Sequence, residues 1–565
     1  MSKIKQEFDA AMAQLNAPGA PFELAGSDES GRYYAKAPAN LVEALSVARQ
    51  HGDREFLIYE NERRSFNELM DEADAIAATL QARGVIPGER VALAMRNYPE
   101  WMAIFIGVVS VGAVIVPVNS WGKPADIAYT VEDCGARLAF CDQQRYDGVA
   151  ELFRDKGIDA IIARPADAED INGLDAFVAD FRGRAPAPVT IGPEDLVLIM
   201  YTSGTSGKPK GAASTHRAIC QALYNIECAA AAAAMSNGEL IKAMLERGFE
   251  STSLLAVPLF HVSGCHAQFL TNIRGGRRIV MMYKWDVDKA LDYIEKERVT
   301  AVFAAPSMLL DLLEAPRFGQ TDTRSLFSLG IGGAATPPKV SKLLYEKLPQ
   351  NFSGTGWGMT ETNAQGASLT GEAFHLKSGS AGFPHPIVDI RICDEEGNIL
   401  PQSDIGEIWV RSCANIREYW HRPEVNAQEI RDGWLKTGDI GYLDEDGFLF
   451  LADRAKDMII RGGENIYPIE IENELLELEG VKEVAAIGLP DERLGEEVAV
   501  VVHLHLHGSL GMEQLLEYAR SKLASYKVPT RVFFSEEALP RNATNKILKA
   551  VLKAKYVSPS NGNNS

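Results

Sequence analysis

The chain has 565 residues, 46% hydrophobic and 24% charged, the balance of a water-soluble globular protein with length for roughly three to four average domains. A formal net charge of -20 excludes a nucleic-acid surface as its main business, so any anion site must be built locally from backbone amides and a few lysines. The seven cysteines (Cys134, Cys141, Cys220, Cys228, Cys265, Cys393, Cys413) are scattered without a C-x-x-C pair, which predicts reduced thiols in a cytoplasmic protein and small buried hydrophobes.

Residues 1–35 read as an N-terminal extension: MSKIKQEFDAAMAQLNAPG has no signal-peptide core and predicts a short polar helix. Beyond it, short β-branched runs alternate with amphipathic stretches. The runs are 90–95, 136–141, 159–164, 196–201, 277–282 and 300–305. Between them, 285–299 predicts a helix with Val287, Ala290, Leu291 and Ile294 on one face, and Pro306-Ser307 starts another. The alternation predicts βαβ units and largely parallel sheets covered on both sides.

Trp101 to Gly122 carries no charge and is long enough to raise the question of a membrane span. Gly107, Gly112 and Pro117 interrupt it, so it reads as a helix, a glycine turn and a buried strand. No membrane span is expected; peripheral contact with a membrane stays open. Ala229 to Ala234 is a helix of the best helix former.

From Gly379 the texture becomes strand and turn, with DEEGN and DEDG as hairpin signals, which predicts an antiparallel β subdomain at about 379–453. After Arg454, a helix at 469–478, strands at 484–489 and 498–506, a helix at 512–523 and a strand at 531–534 suffice for a separate α+β domain. The expected fold is therefore α/β. A large domain at 36–453, its parallel-rich sheets layered with helices, is followed by a junction at 454–456 and a small C-terminal domain at 457–557. The tail 558–565 has nothing to pack and reads as disordered.

The strongest chemical signal is Tyr201-Thr-Ser-Gly-Thr-Ser-Gly-Lys-Pro-Lys-Gly211, directly after an apolar strand. Its glycines, among them Gly204 and Gly207, let backbone N–H groups approach an anion. Thr202, Ser203, Thr205 and Ser206 add hydroxyls, while Lys208 and Lys210 supply charge. The competing reading is a flexible surface loop. A Walker A loop is excluded, because Lys208 is followed by Pro209. His503, His505 and His507 alternate along a predicted strand; no cysteine or carboxylate completes a metal set, so an exposed strand face is expected.

Four further segments join the loop: Gly356-Trp-Gly-Met-Thr-Glu361, Lys436-Thr-Gly-Asp439, Asp453-Arg-Ala-Lys-Asp457 and Pro540-Arg-Asn-Ala-Thr-Asn-Lys546. Together, in this order and over roughly residues 40 to 555, they resemble the adenylate-forming superfamily of acyl-CoA synthetases, firefly-type luciferases and peptide-synthetase adenylation domains. Within it, the chain looks most like a bacterial-type fatty-acid–CoA ligase. The resemblance implies an enzyme using ATP, Mg²⁺ and coenzyme A, in which 202–208 bind phosphate. Glu361 would hold the metal, and Thr360 would contact phosphate. Trp357, where the family usually has tyrosine, and Gly358 would line the adenine site, with Gly333, Ala334 and Ala335 also on the nucleotide or acyl pocket. Asp439 would take the ribose, Arg454 would support ribose or phosphate, and Lys546 would bridge the carboxylate and α-phosphate. The small domain is expected to turn about Lys456, exchanging Lys546 for the face carrying Gly462, Gly463 and Glu464. His261 would either gate the reacting carbonyl or simply pack. Asn545 stands where glycine usually precedes the lysine, and asparagine also tolerates positive φ.

Segments 260–270, 329–335 and 359–367 would wall the acyl pocket by the same resemblance, and their Gly, Ala and Ser leave room for a long or bulky acid. A medium- or long-chain fatty acid is the expected substrate, with aryl and steroid-side-chain acids open. Loading of a carrier protein and a luciferase-like oxidase are the alternative functions. The oligomeric state is open, with a homodimer among the candidates.

Overall fold

The computed structural model describes residues 3–27, 31–202, 208–377, 379–505 and 510–557. Two large sheets carry most of the chain. In the seven-stranded sheet, Leu196–Thr202, Val114–Pro117, Arg90–Ala94, Leu138–Asp142 and Asp159–Ala163 run parallel in that spatial order. Lys210–Thr215 and Glu418–Tyr419 add an antiparallel edge. In the 14-stranded sheet, Gly354–Gly358, Ser328–Ile331, Ala301–Ala304, Thr252–Leu255, Arg278–Met281 and Glu55–Tyr59 form the parallel part.

Antiparallel pairing begins where Gly366–Thr370 folds back on Gly354–Gly358, upstream of 379. It continues without a break through Ser380–Pro384, Leu449–Arg454, Trp434–Leu443, Gly406–Ser412 and Val388–Cys393. The strand-and-turn stretch therefore extends the same sheet. Its hairpins continue the ladder from an edge that the parallel strands leave unpaired.

The uncharged stretch follows its sequence reading closely. Pro99–Ser110 is a helix buried at every position from Pro99 to Val109; Gly112 turns at φ 73°, and Val114–Pro117 is a buried strand. The helix presses against Phe66–Ala82, which a Ser65–Glu68 capping box starts. A β-carbon at Gly107 would stand 2.9 Å from the Ala73 carbonyl oxygen and 2.8 Å from an Ile76 methyl, so glycine sets this close crossing. Among the described residues one helix, His216–Ser236, has the length and hydropathy of a membrane span, yet 61% of its apolar window is buried inside the protein. The alanine run lies on it, with Ala229, Ala232 and Ala233 buried.

Residues 3–27 and 31–35 pack on the large domain. Helix Lys3–Asn16 lies along His216–Ser236, Phe8 stacks on Phe383 at 5.1 Å, and Tyr34 is buried. Beyond Arg454 a five-stranded sheet forms around Gly495–Leu504, covered by helices Pro468–Leu476, Met512–Lys522 and Lys549–Val557. The strand ends at Leu504, one residue short of His505, because His505 N–H turns to the Gly480 carbonyl; the histidine alternation is thus not carried along the strand. His503 Nδ1 lies 3.0 Å from the Ser535 carbonyl, and His507 lies outside the described residues. Among the described residues, no group of three or more His, Cys, Asp and Glu could hold a metal.

Candidate active site

The motif expected to bind phosphate is flanked by two paired strands. Leu196–Thr202 pairs with Lys210–Thr215, Thr202 opposite Lys210, at the carboxyl end of a strand parallel to Val114–Pro117. Open α/β sheets bind ligands at that end. Ser203, Gly204, Thr205, Ser206 and Gly207 lie outside the described residues. Both flanking lysines are held over aromatic faces, Lys208 Nζ 5.4 Å from the Tyr129 centroid and Lys210 Nζ 4.6 Å from that of Tyr419.

Glu361 sits in the turn Thr360–Thr362, buried with both neighbours. Its Oε1 accepts from the Tyr419 hydroxyl at 3.1 Å and from Thr202 Oγ1 at 3.4 Å, and its carbonyl accepts from Ile416 N–H at 2.8 Å. Burial pushes its carboxyl above the usual range, against hydrogen bonding and the charges of Lys210 and Arg454. A single desolvated carboxylate among hydroxyls suits magnesium, a hard cation that takes its remaining ligands from phosphate and water.

Asp439 is gripped at both oxygens. Trp357 Nε1 donates to Oδ2 at 2.8 Å, and Arg454 Nε lies 3.1 Å from Oδ1 across a paired strand register. The indole lies flush on Gly366, where a β-carbon would meet ring atom Cε3 at 2.5 Å. The tryptophan at this position therefore fixes the Asp439 carboxylate through its N–H. Trp357→Phe removes a hydrogen bond to a charged group, worth about 1.5 kcal/mol, and is expected to raise the KM for ATP roughly tenfold in a pyrophosphate-release assay.

Lys546 enters from the C-terminal domain on a bridged turn. Asn542 Oδ1 accepts from Lys546 N–H and Thr544 N–H, and Asn545 adopts φ 66°, the left-handed conformation expected of it. The side chain reaches the large domain: a β-carbon on Gly333 would stand 3.9 Å from Lys546 Cε. Burial and the positive charges of Arg454 and Lys456 bring its ammonium down to about 8, opposed by Asp439 and Glu361. Burial, with Lys546 next, brings His261 down to about 3, so it is neutral. Its Nδ1 accepts from Ser263 N–H at 3.2 Å, which leaves its proton on Nε2.

The sequence of residues 45–420 matches the family described as AMP-binding enzyme, and residues 470–546 match the AMP-binding enzyme C-terminal domain. The chain belongs to the AMP-binding enzyme family. It is 34% identical over 500 residues to the long-chain-fatty-acid–CoA ligase FadD13 of Mycobacterium tuberculosis, covering 87% of this chain and 93% of that protein. Feruloyl-CoA synthase of an Amycolatopsis species is also 34% identical, over 87% of this chain and 94% of its own. Among solved structures, o-succinylbenzoate CoA synthetase of Bacillus subtilis with its acyl-adenylate intermediate matches with a TM-score of 0.72 and 29% identity, over 90% and 97% of the two chains. This AMP-binding enzyme is an AMP-forming acid–thiol ligase, and its fold is the family's two-domain α/β architecture.

In this AMP-binding enzyme, Glu361, Thr202, Trp357, Asp439, Arg454 and Lys546 form one connected neighbourhood. Thr360, Gly358, Gly333, Ala334 and Ala335 belong to the segments that border it, and Lys456 is an exposed turn residue close enough to act on Lys546. Gly462 and Gly463 lie instead on an exposed hairpin turn, where Gly462 N–H donates to the Leu494 carbonyl. Tyr419 was not legible as a site residue: it belongs to a two-residue strand whose pairing with Ala212 is long-range.

A second group escaped the sequence reading. Arg96, Ser120 and Arg145 follow three adjacent parallel strands, in spatial order Val114–Pro117, Arg90–Ala94, Leu138–Asp142, where the chain order reverses across the sheet. They line a cleft of about 310 Å³ with Trp121 and Gln144. The Arg96 guanidinium lies against Trp121 and 4.9 Å from the Tyr283 centroid. Its Nε and Nη1, and Ser120 Oγ, are buried without a hydrogen-bond partner among the described residues.

The six buried cysteines carry no sign of nucleophilic chemistry. Burial raises their thiols, as it raises that of half-buried Cys413, to about 11 at Cys134 and about 12 at Cys220 and Cys413.

Proposed function

We propose that the enzyme joins a hydrophobic carboxylic acid to ATP, releasing pyrophosphate, and passes the acyl group from the acyl-adenylate to coenzyme A with release of AMP. The observation that carries this reading is the placement of Lys546 among Glu361, Asp439, Arg454 and His261. A carboxylate oxygen attacking the α-phosphate brings two anions together, and the barrier is mostly charge. Lys546 would bridge the two anions, with Thr360 and the 202–208 loop on the leaving phosphates. Magnesium held by Glu361 would neutralise phosphate charge. Asp439 would accept from ribose hydroxyls, oriented by Trp357 and Arg454. His261, neutral, would lie beside the reacting carboxylate without adding charge.

Coenzyme A is favoured over a carrier protein as acceptor by the Arg96 cleft. Its donors suit the several phosphate charges of a free nucleotide thiol, where a carrier's prosthetic arm brings one phosphodiester. Arg96→Ala is expected to raise the KM for CoA about tenfold without raising that for ATP, as read by thioester formation. For the acid, the fatty and aryl substrates named for the two relatives bracket the proposal. The deciding experiment is CoA-dependent AMP release across a panel of fatty and aryl acids. AMP released only when acid, ATP and CoA are all present supports the reading; AMP release indifferent to CoA contradicts it.

A further inference from the structure

Two of the segments expected to wall the acyl pocket, 260–270 and 359–367, meet through polar groups. His266, fully buried on the π-helical turn Cys265–Leu270, places Nε2 3.1 Å from Asn363 Oδ1. Asn363 leaves no freedom in how this bond is read. Its Nδ2 donates to the Ala414 carbonyl at 2.8 Å, and its Oδ1 also accepts from the Ser214 hydroxyl at 3.0 Å. His266 Nε2 must therefore donate. Burial brings the imidazole down to about 4, so the ring is neutral and Nδ1 is a bare lone pair. That atom has no hydrogen-bond partner among the described residues.

A second atom in the same wall shares this state. Gln365 Oε1 accepts from Asn225 Nδ2 at 2.6 Å, while Asn225 Oδ1 accepts from the Tyr34 hydroxyl at 2.7 Å. Gln365 Nε2 is then a donor, buried and without a partner among the described residues. Leaving a buried donor or acceptor unpaired is costly, so a wall that keeps one acceptor and one donor open is suited to a polar partner. The location fits the acyl group. His261, five residues earlier in the same segment, lies near enough to Lys546 for the ammonium to lower it, so segment 260–270 borders the adenylation centre.

We propose that His266 Nδ1 accepts a hydrogen bond from a hydroxyl or N–H carried by the acyl group, making oxygenated acids better substrates than their unsubstituted parents. Gln365 Nε2 is the complementary donor. The inference rests on the reading that an acid is adenylated beside Lys546. A bare alkyl chain would leave both wall atoms unpaired, and sites built to hydrogen-bond a substrate discriminate strongly against analogues that cannot.

The test is acid-dependent ATP–pyrophosphate exchange with matched pairs: decanoic and 10-hydroxydecanoic acids, and cinnamic acid with its 3- and 4-hydroxy derivatives. The native enzyme is expected to favour at least one hydroxylated acid over its parent by about tenfold in kcat/KM. His266→Leu should bring that ratio close to one, and His266→Gln, whose carbonyl can accept, should keep part of it. Should the leucine variant fail to fold, the native ratio and the glutamine variant decide. Exchange with every acid but no preference, or an equal loss for both members of a pair, overturns this inference alone. Exchange with no acid overturns the adenylation reading and this inference with it.

Discussion

Replacing Lys546 by alanine is expected to slow acyl-adenylate formation by about 10³-fold or more, as expected for removing a cation from a phosphoryl-transfer site. Thioester formation from supplied acyl-adenylate and CoA should stay close to native. The asymmetry follows from the chemistry: attack on the α-phosphate brings anions together, whereas thiol attack on an acyl-adenylate expels AMP from a neutral carbonyl. Rapid quench of each half-reaction measures it. Equal losses in both would contradict a lysine that serves the first step alone and a C-terminal domain that turns about Lys456.

The same lysine sets a pH limb. Its ammonium, brought down to about 8, is present below that pH and lost above it. The kcat/KM for ATP in adenylation should therefore fall as pH rises through about 8 in the free enzyme. Bound ATP, being anionic, holds the proton more tightly, so kcat should persist to higher pH.

Glu361→Gln carries the second large effect, a loss of about 10²–10³-fold in adenylation together with a higher magnesium requirement. The side chain is a near isostere, and Tyr419 and Thr202 can still bond its carbonyl oxygen. Stability should move the other way. Burial raises the Glu361 carboxyl, so its charged form weakens the apo fold at neutral pH, and glutamine removes that charge. The variant should melt at or above the native Tm in the absence of ligand, the gap closing as pH falls and the native carboxyl takes up its proton. A Tm well below native would mean that the charge is stabilising and that the lost activity reflects unfolding.

Local features of this chain were readable because local physics dictates them. The run 101–122 lacks charge because helix Pro99–Ser110 and strand Val114–Pro117 are buried, and Gly112 marks the turn between them. Asn545 could be read as a glycine substitute because few other side chains tolerate φ 66°. Periodicity predicts a helix over 285–299, and Val287–Lys296 forms there with Ala290, Leu291 and Ile294 inward.

What was not legible depends on residues far apart in sequence. Tyr419 reaches Glu361 across 58 positions and Trp357 reaches Asp439 across 82, and neither bond leaves a spacing to recognise. The Arg96 cleft is assembled by strand order, with contributions from three strand ends that only the folded sheet makes adjacent. His266 looks like any histidine in an apolar run until Asn363 fixes which of its nitrogens donates.

The most direct measurement of the central claim is isotope exchange between pyrophosphate and ATP with acid present and CoA withheld. Acid-dependent exchange at a substantial rate, abolished in the Lys546→Ala protein, is the predicted result. Exchange that needs CoA, or that survives loss of the lysine unchanged, would contradict an acyl-adenylate formed where Lys546 and Glu361 converge.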